Sequence, residues 1–549
     1  MSYLDVPRLT FFGQFTANPS TSNNDPGNYS MTAPMDTSQS WNPCGRHNFS
    51  FNNCQVTSIA TASGLTLAGH GTDPILGAAL TTGSAVLVDL DPDQQLVSQI
   101  FGLSVSIALS GTATIQGTMQ PVNFFDINFG RLQGAGGDSA ASAFYMSVLE
   151  NVTWTGDLNS PFATALQQAT TGNMLSIHFV VDGFQADPQN PNSRMGRVVG
   201  TIGPYLAGEP KTFVNARMLR PTGNVPNITP TPPGSVSFNM VPAKTDSVRK
   251  KMIFDFGNAM PTLLTGSTIT LQQYTTPLQV AFTNLVEQTV VLGEIDVADA
   301  TYANTGLIQE FDISQYASDL ATAMTFVQQG TGSQMFLAEN PSGGYVNVEP
   351  YVFRLNPGDP GPVTLYANFF EQPATQQLVS LALTNALPGT SPNAPTFPSS
   401  VTTDANGMAT FTITGVNPQN PRGPIDGQVY SIGFSWLEDT NPDTNAYISV
   451  HGFDGVPIPD NPTWWTDVFP ILNQYSQLYP YMQGLIQLNN YQSVTIPQNL
   501  TAIVQRLTLP PNDPGLMPIT RELSADKLAI ILKWVQQGAV PGTQPGSGS

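Results

Sequence analysis

Short apolar stretches in which every second residue is hydrophobic run through most of this chain, separated by clusters of Gly, Pro, Asn and Ser. Examples are RLTFFGQFTA at 8–17, GSAVLVDL at 83–90 and SVSIALSG at 104–111. A period of two residues predicts β-strands with one buried face. The 48 glycines and 47 prolines among 549 residues supply many tight turns. We therefore predict a mainly β fold of β-rich barrel or sandwich domains.

The length predicts several domains, because a single hydrophobic core rarely grows beyond about 250–300 residues. A Pro-rich stretch, NVPNITPTPPG at 224–234, separates the first two β-rich regions. The predicted segments are a β-rich N-terminal domain at 1–225, a second β-rich domain at 236–345, an immunoglobulin-like sandwich at 349–452, a helical module at 463–540 and a disordered tail at 541–549.

The immunoglobulin-like segment has the clearest pattern. DANG at 404–407 predicts a tight turn, and the alternating stretch MATFTIT at 408–414 follows it. YSIGFSWLED at 430–439 is expected to be the final strand. Strands about ten residues apart over roughly 100 residues are typical of such a sandwich. We expect Trp436 to lie in or beside its core.

The charge balance limits the partners. Only 18 Lys and Arg stand against 38 Asp and Glu, so the net charge is −20. Binding to nucleic acid or to an anionic membrane surface depends on basic side chains, and we expect neither. The sequence has no apolar run of transmembrane length and no signal-peptide pattern at its start. We therefore expect a cytoplasmic protein.

Possible metal ligands are few. Cys44 and Cys54 are expected to be free thiols in a reducing compartment, with a disulfide as the alternative. Only His47 lies near them, so a zinc site is not expected. Asp89, Asp91 and Asp93 alternate after a strand, as Ca²⁺ ligands can. A solvated turn at the strand end is favoured over a Ca²⁺ site.

The last helix has clear boundary signals. Ser524 is the expected N-cap, and Gly538 stands where a helix commonly ends in the left-handed conformation. Leu528, Ile531, Leu532 and Val535 form the predicted buried stripe. Just before the helix, we expect Arg521 and Glu522 to form a structural ion pair that ties the module to the β domains. The alternative is that they face a partner domain.

The stretch 517–539 resembles the tail of small class I cytochromes c, with Met-Pro, a Ser-capped helix and Trp-x-x-x-Gly-Ala. That resemblance implies a haem near Met517. Covalent haem attachment requires Cys-x-x-Cys-His. LYPYMQGL at 478–485, where that motif is expected, has neither Cys nor His, and no His follows His451. We therefore expect a haemless helical module, without a partner ligand for Met517.

Aromatic residues are concentrated at the start of the helical module. Trp464, Trp465, Tyr479 and Tyr481 are candidates for lining a sugar or pigment site. Aromatic side chains between domains also serve as packing anchors. The packing interpretation is favoured.

Four stretches resemble the iminophenyl-pyruvate dimer synthases of violacein and indolocarbazole biosynthesis. These stretches are MSYLDVPRLTFFGQFTANPSTSNND at 1–25, GRVVGTIGPYLAGEPKTFVNARMLRP at 196–221, LYPYMQ at 478–483 and MPITRELSADKLAIILKWV at 517–535. In that family a ferritin-like helical domain with Glu-x-x-His metal ligands follows. This chain contains no Glu-x-x-His. The resemblance therefore implies the architecture of the family's front half and no catalytic residue.

Three hypotheses follow. The preferred one is a non-catalytic β-rich scaffold or binding protein without a cofactor, which partners a separately encoded catalytic chain. The second is an enzyme of aromatic, amino-acid-derived pigment biosynthesis. The third is a self-assembling structural or surface protein, for which the low charge and the many Asn, Gln and Thr residues give weak support.

Overall fold

The fold is mainly β with a small helical module near the C-terminal end of the chain, which confirms the predicted fold class. None of the helices in the described part of the chain has the length and hydrophobicity that membrane crossing requires. The computed structural model describes residues 1–19, 45–90, 97–109, 112–187, 189–222, 230–231, 237–283, 288–316, 325–329, 335–384, 391–421, 426–436 and 447–544.

The first domain is a large antiparallel sheet. The pairing of β1 with β2 closes eight of its strands, in the order β1-β14-β13-β12-β8-β7-β4-β2, around a core that includes Phe11, Phe49 and Phe179. Helix α1 (Pro161–Ala169) and a 3₁₀ turn at Gly137–Ala140 accompany the sheet. The strands of this part of the chain, all of which join the sheet except β11, which pairs with β19 of the second domain, are β1 (Arg8–Ala17), β2 (Asn48–Thr61), β3 (Gly64–Leu67), β4 (Ala79–Thr82), β5 (Ala85–Asp89), β6 (Ser98–Phe101), β7 (Ser104–Ala108), β8 (Thr114–Met119), β9 (Val122–Asn123), β10 (Asp126–Asn128), β11 (Leu132–Gln133), β12 (Ser142–Thr155), β13 (Leu175–Asp182) and β14 (Met195–Pro204).

The second domain contains an eight-stranded sheet in the order β23-β22-β25-β26-β15-β17-β18-β24, and helix α2 (Asp299–Thr305). The predicted boundary near residue 225 is wrong, because β15 pairs with β17 and β26 of this sheet. The strands of the second domain are β15 (Arg217–Pro221), β16 (Pro230–Thr231), β17 (Val241–Asp246), β18 (Lys251–Asp255), β19 (Thr262–Thr265), β20 (Thr268–Leu271), β21 (Gln273–Tyr274), β22 (Leu278–Thr283), β23 (Thr289–Glu294), β24 (Ile308–Asp312), β25 (Thr325–Gln329) and β26 (Met335–Glu339). Of these, β16, β19, β20 and β21 lie outside the eight-stranded sheet.

Buried charges join the first two domains. The Asp182 carboxylate accepts hydrogen bonds from Arg131 Nη1 at 3.0 Å and from Arg197 Nε at 2.8 Å. The Tyr302 hydroxyl on α2 donates to it at 3.1 Å. Arg131 also donates to the Gly257 carbonyl of the second domain. We call Arg131, Asp182, Arg197 and Tyr302 the charged joint.

The immunoglobulin-like domain is a sandwich of a four-stranded and a five-stranded sheet. Trp436 is buried and stacks on Phe369 with ring centroids 4.8 Å apart, as expected for a core residue. The predicted limits change at both ends: β27 pairs with β29 of this domain, and β35 follows the expected final strand. Its strands are β27 (Gly344–Glu349), β28 (Val352–Leu355), β29 (Pro360–Phe369), β30 (Gln372–Pro373), β31 (Leu378–Thr384), β32 (Ser400–Thr402), β33 (Met408–Thr414), β34 (Gln428–Trp436) and β35 (Tyr447–Gly452).

The helical module starts with a π-helical turn at Trp464–Val468. Its remaining helices are α3 (Phe469–Leu478), a 3₁₀ turn at Pro480–Gly484, α4 (Tyr491–Val494), α5 (Pro497–Leu507) and α6 (Ala525–Gln536). Ser524 is the N-cap of α6, where its side chain accepts a hydrogen bond from the Lys527 amide. Gly538 has φ +86°, the left-handed value expected beyond the helix end.

The buried face of α6 differs from the predicted stripe. Of the four predicted residues only Ile531 is fully buried, and the buried face consists of Ile530, Ile531 and Trp534. The reason is the position of Trp464, whose ring packs against Trp534 with centroids 5.7 Å apart. The predicted stripe does not include Trp534, which is the largest side chain on the buried face.

The module docks on two β domains at once. Phe101 of β6 joins the module's hydrophobic core, and Gly102 lies against Pro514. On the other side, Lys527 pairs with the buried Asp426 of the immunoglobulin-like domain at 3.2 Å. The N-terminal domain therefore forms one wall of any space that the module leaves open.

Candidate functional site

A cavity of about 420 Å³ lies between the helical module and the short segment that precedes β2. Volumes of this size are common for small-molecule sites. Nearly all of the wall is apolar. The residues that define this module cavity are Leu472, Tyr475, Tyr479, Met482, Ile503 and Met517.

The local sequence explains the wall. Helix α3 places Leu472 and Tyr475 on one side, and α5 places Ala502 and Ile503 opposite. The strongly amphipathic α5 has only Ile503 fully buried, because much of its apolar face borders the cavity. Tyr479 lies between them, and its hydroxyl donates to Glu522 Oε1 at 2.9 Å.

His47 lies in the wall that the N-terminal domain contributes. Its Nδ1 is 3.2 Å from the Leu87 carbonyl oxygen, which places the proton on Nδ1 when the ring is neutral. Nε2 is buried and has no hydrogen-bond partner among the described residues. Burial lowers the pKa of His47 to about 4, so the imidazole is neutral near pH 7. The backbone of His47 is left-handed, with φ +58°.

Tyr475 provides a second buried polar atom without a partner. Its side chain is 4% exposed, and its hydroxyl has no hydrogen-bond partner within the part of the chain that the structure describes. Burial, with smaller contributions from Glu522 and Asp426, raises the pKa of Tyr475 well above its usual value. Unpaired buried polar groups of this kind cost about 1–3 kcal/mol each.

Two arginines belong to the lining of the module cavity. Arg46 and Arg506 both line it and are exposed. Arg46 lies over the Tyr481 ring, 4.8 Å from its centroid, and Arg506 Nη1 donates to the Gly515 carbonyl at 3.4 Å. Neither has a carboxylate partner among the described residues. At least ten other basic side chains of this acidic chain do form ion pairs.

The structure separates the four predicted aromatic residues. Tyr479 and Tyr481 line the module cavity. Trp464 is completely buried in the module core, and Trp465 packs on Phe469 with ring centroids 5.4 Å apart. Neither tryptophan is among the described residues that form the cavity wall, so both are packing anchors.

The haem implied by the cytochrome-like tail can be compared with these residues. Met517 lies in the wall, and His47 lines the same cavity. The distance of 470 residues along the sequence concealed this juxtaposition. However, His47 Nε2 is covered by neighbouring atoms and offers no open coordination position. The attachment motif is also missing from 478–485. The residues therefore do not fit a covalently attached haem.

The predicted pairing of Arg521 with Glu522 is replaced by separate partners. Arg521 donates to the carbonyls of Pro511, Asp513 and Ile519, and it lies 3.8 Å from the centroid of the Phe101 ring. Glu522 accepts from Tyr479. Burial lowers the pKa of Arg521 to about 10. Through Phe101, Arg521 contacts the N-terminal domain.

The remaining candidate ligands lie elsewhere. Asp89 accepts a hydrogen bond from the Ser98 hydroxyl across the β5–β6 pair, whereas Asp91 and Asp93 are outside the described residues, so the Ca²⁺ site stays a prediction. Cys54 is a buried free thiol, and burial raises its pKa to about 12. Cys44 and the end of the predicted tail, 545–549, are also outside the described residues. Within the described ranges no three His, Cys, Asp or Glu side chains are grouped as metal ligands.

No protein-family model and no curated protein matches this chain. Among solved structures, it is similar to the D0-D1 domain of intimin, with 9% identity, a TM-score of 0.17 and coverage of 38% of this chain and 94% of that chain. It is also similar to trypsin-activated alpha-2-macroglobulin from Escherichia coli, with 10% identity, a TM-score of 0.14 and coverage of 82% and 29%. Similarity at these TM-scores carries no inference about activity.

Proposed function

We propose that this protein is a non-catalytic binding protein that holds a small apolar molecule in the module cavity. The observation that carries the proposal is the apolar cavity of about 420 Å³, walled by two domains. An exposed apolar wall of this kind costs free energy when it faces water, because apolar surface is stabilised by removal from water. A bound apolar molecule covers that surface and offsets the cost.

The groups around the cavity support binding rather than catalysis. The low pKa of His47 leaves it neutral, and the high pKa of Tyr475 keeps its hydroxyl protonated. A general base or nucleophile needs an accessible atom within hydrogen-bond reach of the substrate. The buried polar atoms of these two residues are covered.

The proposed relation to the front half of the iminophenyl-pyruvate dimer synthases agrees with a binding role. Under that relation, a separately encoded catalytic chain is the protein partner, and the bound molecule passes between the two. Self-association of this chain is the competing arrangement. Light scattering of the purified protein, alone and with added apolar ligand, distinguishes a monomer from an assembly.

The test uses N-phenyl-1-naphthylamine, a neutral dye that fluoresces when it leaves water for an apolar site. The informative variant is Ala502→Trp, because Ala502 is a small residue in the wall and an indole ring there fills the cavity. The matched control is Gln505→Trp on the exposed side of α5. We expect saturable dye fluorescence in the wild type and in Gln505→Trp, and its loss in Ala502→Trp. Equal dye binding by Ala502→Trp and the wild type would overturn the proposal.

A further inference from the structure

We infer that the ligand of the module cavity is an amphipathic carboxylate, whose apolar body lies in the cavity and whose acidic group lies at the mouth between Arg46 and Arg506. This inference rests on the proposed function and adds the chemical class of the ligand. It follows from the distribution of basic side chains and not from the cavity volume.

Basic side chains are scarce in this protein, with 18 Lys and Arg against 38 Asp and Glu. In such a chain an arginine readily finds a carboxylate partner. Yet Arg46 and Arg506, which belong to segments 460 residues apart in sequence, both line the module cavity and are exposed, and neither has a carboxylate partner among the described residues. Arginine recognises carboxylates through paired N–H groups.

The existing contacts leave guanidinium donors available. Arg46 stacks on the Tyr481 ring, an arrangement that uses the face of the guanidinium and leaves its N–H edge free. Arg506 makes one long hydrogen bond, at 3.4 Å, to the Gly515 carbonyl. Both side chains are exposed, so a ligand carboxylate can reach them without the burial of an unpaired charge.

The rest of the wall excludes a ligand that is charged along its length. The other lining side chains are apolar or aromatic, and Tyr479 already donates its hydroxyl to Glu522. The exposed Leu485, at 63% relative exposure, extends the apolar wall towards solvent. A molecule with one acidic end and an apolar body therefore matches this surface along its whole length.

The test compares two ligands of nearly equal shape, 2-naphthoate and 2-naphthamide, by isothermal titration calorimetry at pH 8. We expect 2-naphthoate to bind about tenfold more tightly than the amide, since one charge-assisted hydrogen bond contributes roughly 1.5 kcal/mol or more. Arg46→Gln and Arg506→Gln should each remove most of that preference. Lys250→Gln removes a positive charge from an exposed site in the second domain and should leave the preference for 2-naphthoate unchanged. Unfolding midpoints of all variants report whether they are folded.

The outcomes separate this inference from the proposed function. Equal affinity for the acid and the amide, or a preference that survives in both arginine variants, overturns the carboxylate inference and leaves the apolar cavity intact. Failure of both ligands and of the neutral dye to bind overturns the proposed function as well. Naphthoate binding that weakens as salt rises, while naphthamide binding stays constant, supports the inference.

Discussion

The N-terminal domain meets its neighbours in two contrasting ways. At the charged joint, Asp182 and Arg131 are each 1% exposed, and the carboxylate accepts hydrogen bonds from two arginines and a tyrosine. At the module cavity, the wall is almost entirely apolar, and the exposed Arg46 and Arg506 have no carboxylate partner within the described part of the chain. The polar groups of the first joint pair with one another, whereas the second leaves an apolar cavity and two arginines without carboxylate partners among the described residues.

Under the proposed function, this difference separates a structural joint from a ligand site. A buried charge is tolerated only when it is paired and hydrogen-bonded, so a complete set of partners indicates a role in holding domains together. An uncovered apolar surface is common where a ligand or a partner binds, which agrees with the proposed function. The contrast predicts that variants in the two joints affect different measurements.

The largest effect is expected for Asp182→Asn. Burial raises the pKa of Asp182, but Arg197 and Arg131 outweigh burial and lower it overall, so the group is ionised in the folded protein. Loss of its charge leaves two arginines without their anion. Removal of one partner from a buried pair costs about 3–5 kcal/mol. Urea unfolding, followed by circular dichroism, measures the loss.

The control for that variant is Glu150→Gln. Glu150 pairs with Lys211 at 3.1 Å, with both side chains about one-third exposed. A surface pair of this kind contributes about 0–1 kcal/mol. Dye binding at the module cavity should be unchanged in both variants below the unfolding transition. If Asp182→Asn costs no more than Glu150→Gln, the charged joint does not hold the domains together.

The sequence predicted the parts of the fold that depend on neighbouring residues. The cap at Ser524 and the core position of Trp436 follow from signals within a few residues of each. Strand β15 was placed in the wrong domain because its partners, β17 and β26, are set by long-range pairing. Local patterning carries no information about such pairing.

The candidate site was predictable only in part, for the same reason. Tyr479 and Tyr481 were recognised because they belong to a cluster of aromatic residues in the sequence. The same cluster includes Trp464 and Trp465, which pack in the module core and not in the cavity wall. His47 and Arg46 were missed as wall residues because GRHN at 45–48 carries no local sign that it faces a helix some 430 residues later. The only signal in the sequence was the excess of acidic over basic residues, in which no pairing partner for Arg46 or Arg506 is evident.

A smaller effect, confined to the second joint, is expected for Gly102→Ala. Gly102 has φ +76°, and a Cβ atom there would lie 2.7 Å from Pro514 Cγ, so alanine adds backbone strain and displaces the module. We expect a loss of about 2–4 kcal/mol from strain and overpacking together, with weaker dye binding. Gly208→Ala is the matched control, because Gly208 has φ +83° but nothing within 4 Å of its Cβ position. If the two variants change dye binding equally, the contact between Gly102 and Pro514 does not affect ligand binding in the module cavity.

The smallest effect is the pH dependence contributed by His47. Its pKa is about 4 in the folded protein and about 6.5 in an unfolded chain, so the unfolded state binds more protons between these values. The stabilisation by neutral His47 is therefore complete above pH 6.5 and decreases as the pH falls towards 4, by up to about 1.4 kcal/mol per pH unit.

His47→Asn tests this dependence with little change in structure. Asparagine tolerates the left-handed backbone of residue 47 and can donate its side-chain N–H to the Leu87 carbonyl, but it does not titrate. His47 is not part of the charged joint. Burial also lowers the pKa of His178 in the N-terminal sheet, but His178 titrates in both proteins, so its contribution to the pH dependence cancels in the comparison. Unfolding free energies at pH 5 and pH 7.5 should therefore differ less in His47→Asn than in the wild type. An identical difference in the two proteins would mean that His47 is not buried in the neutral form, and the wall of the module cavity would then be more polar than the apolar binding site requires.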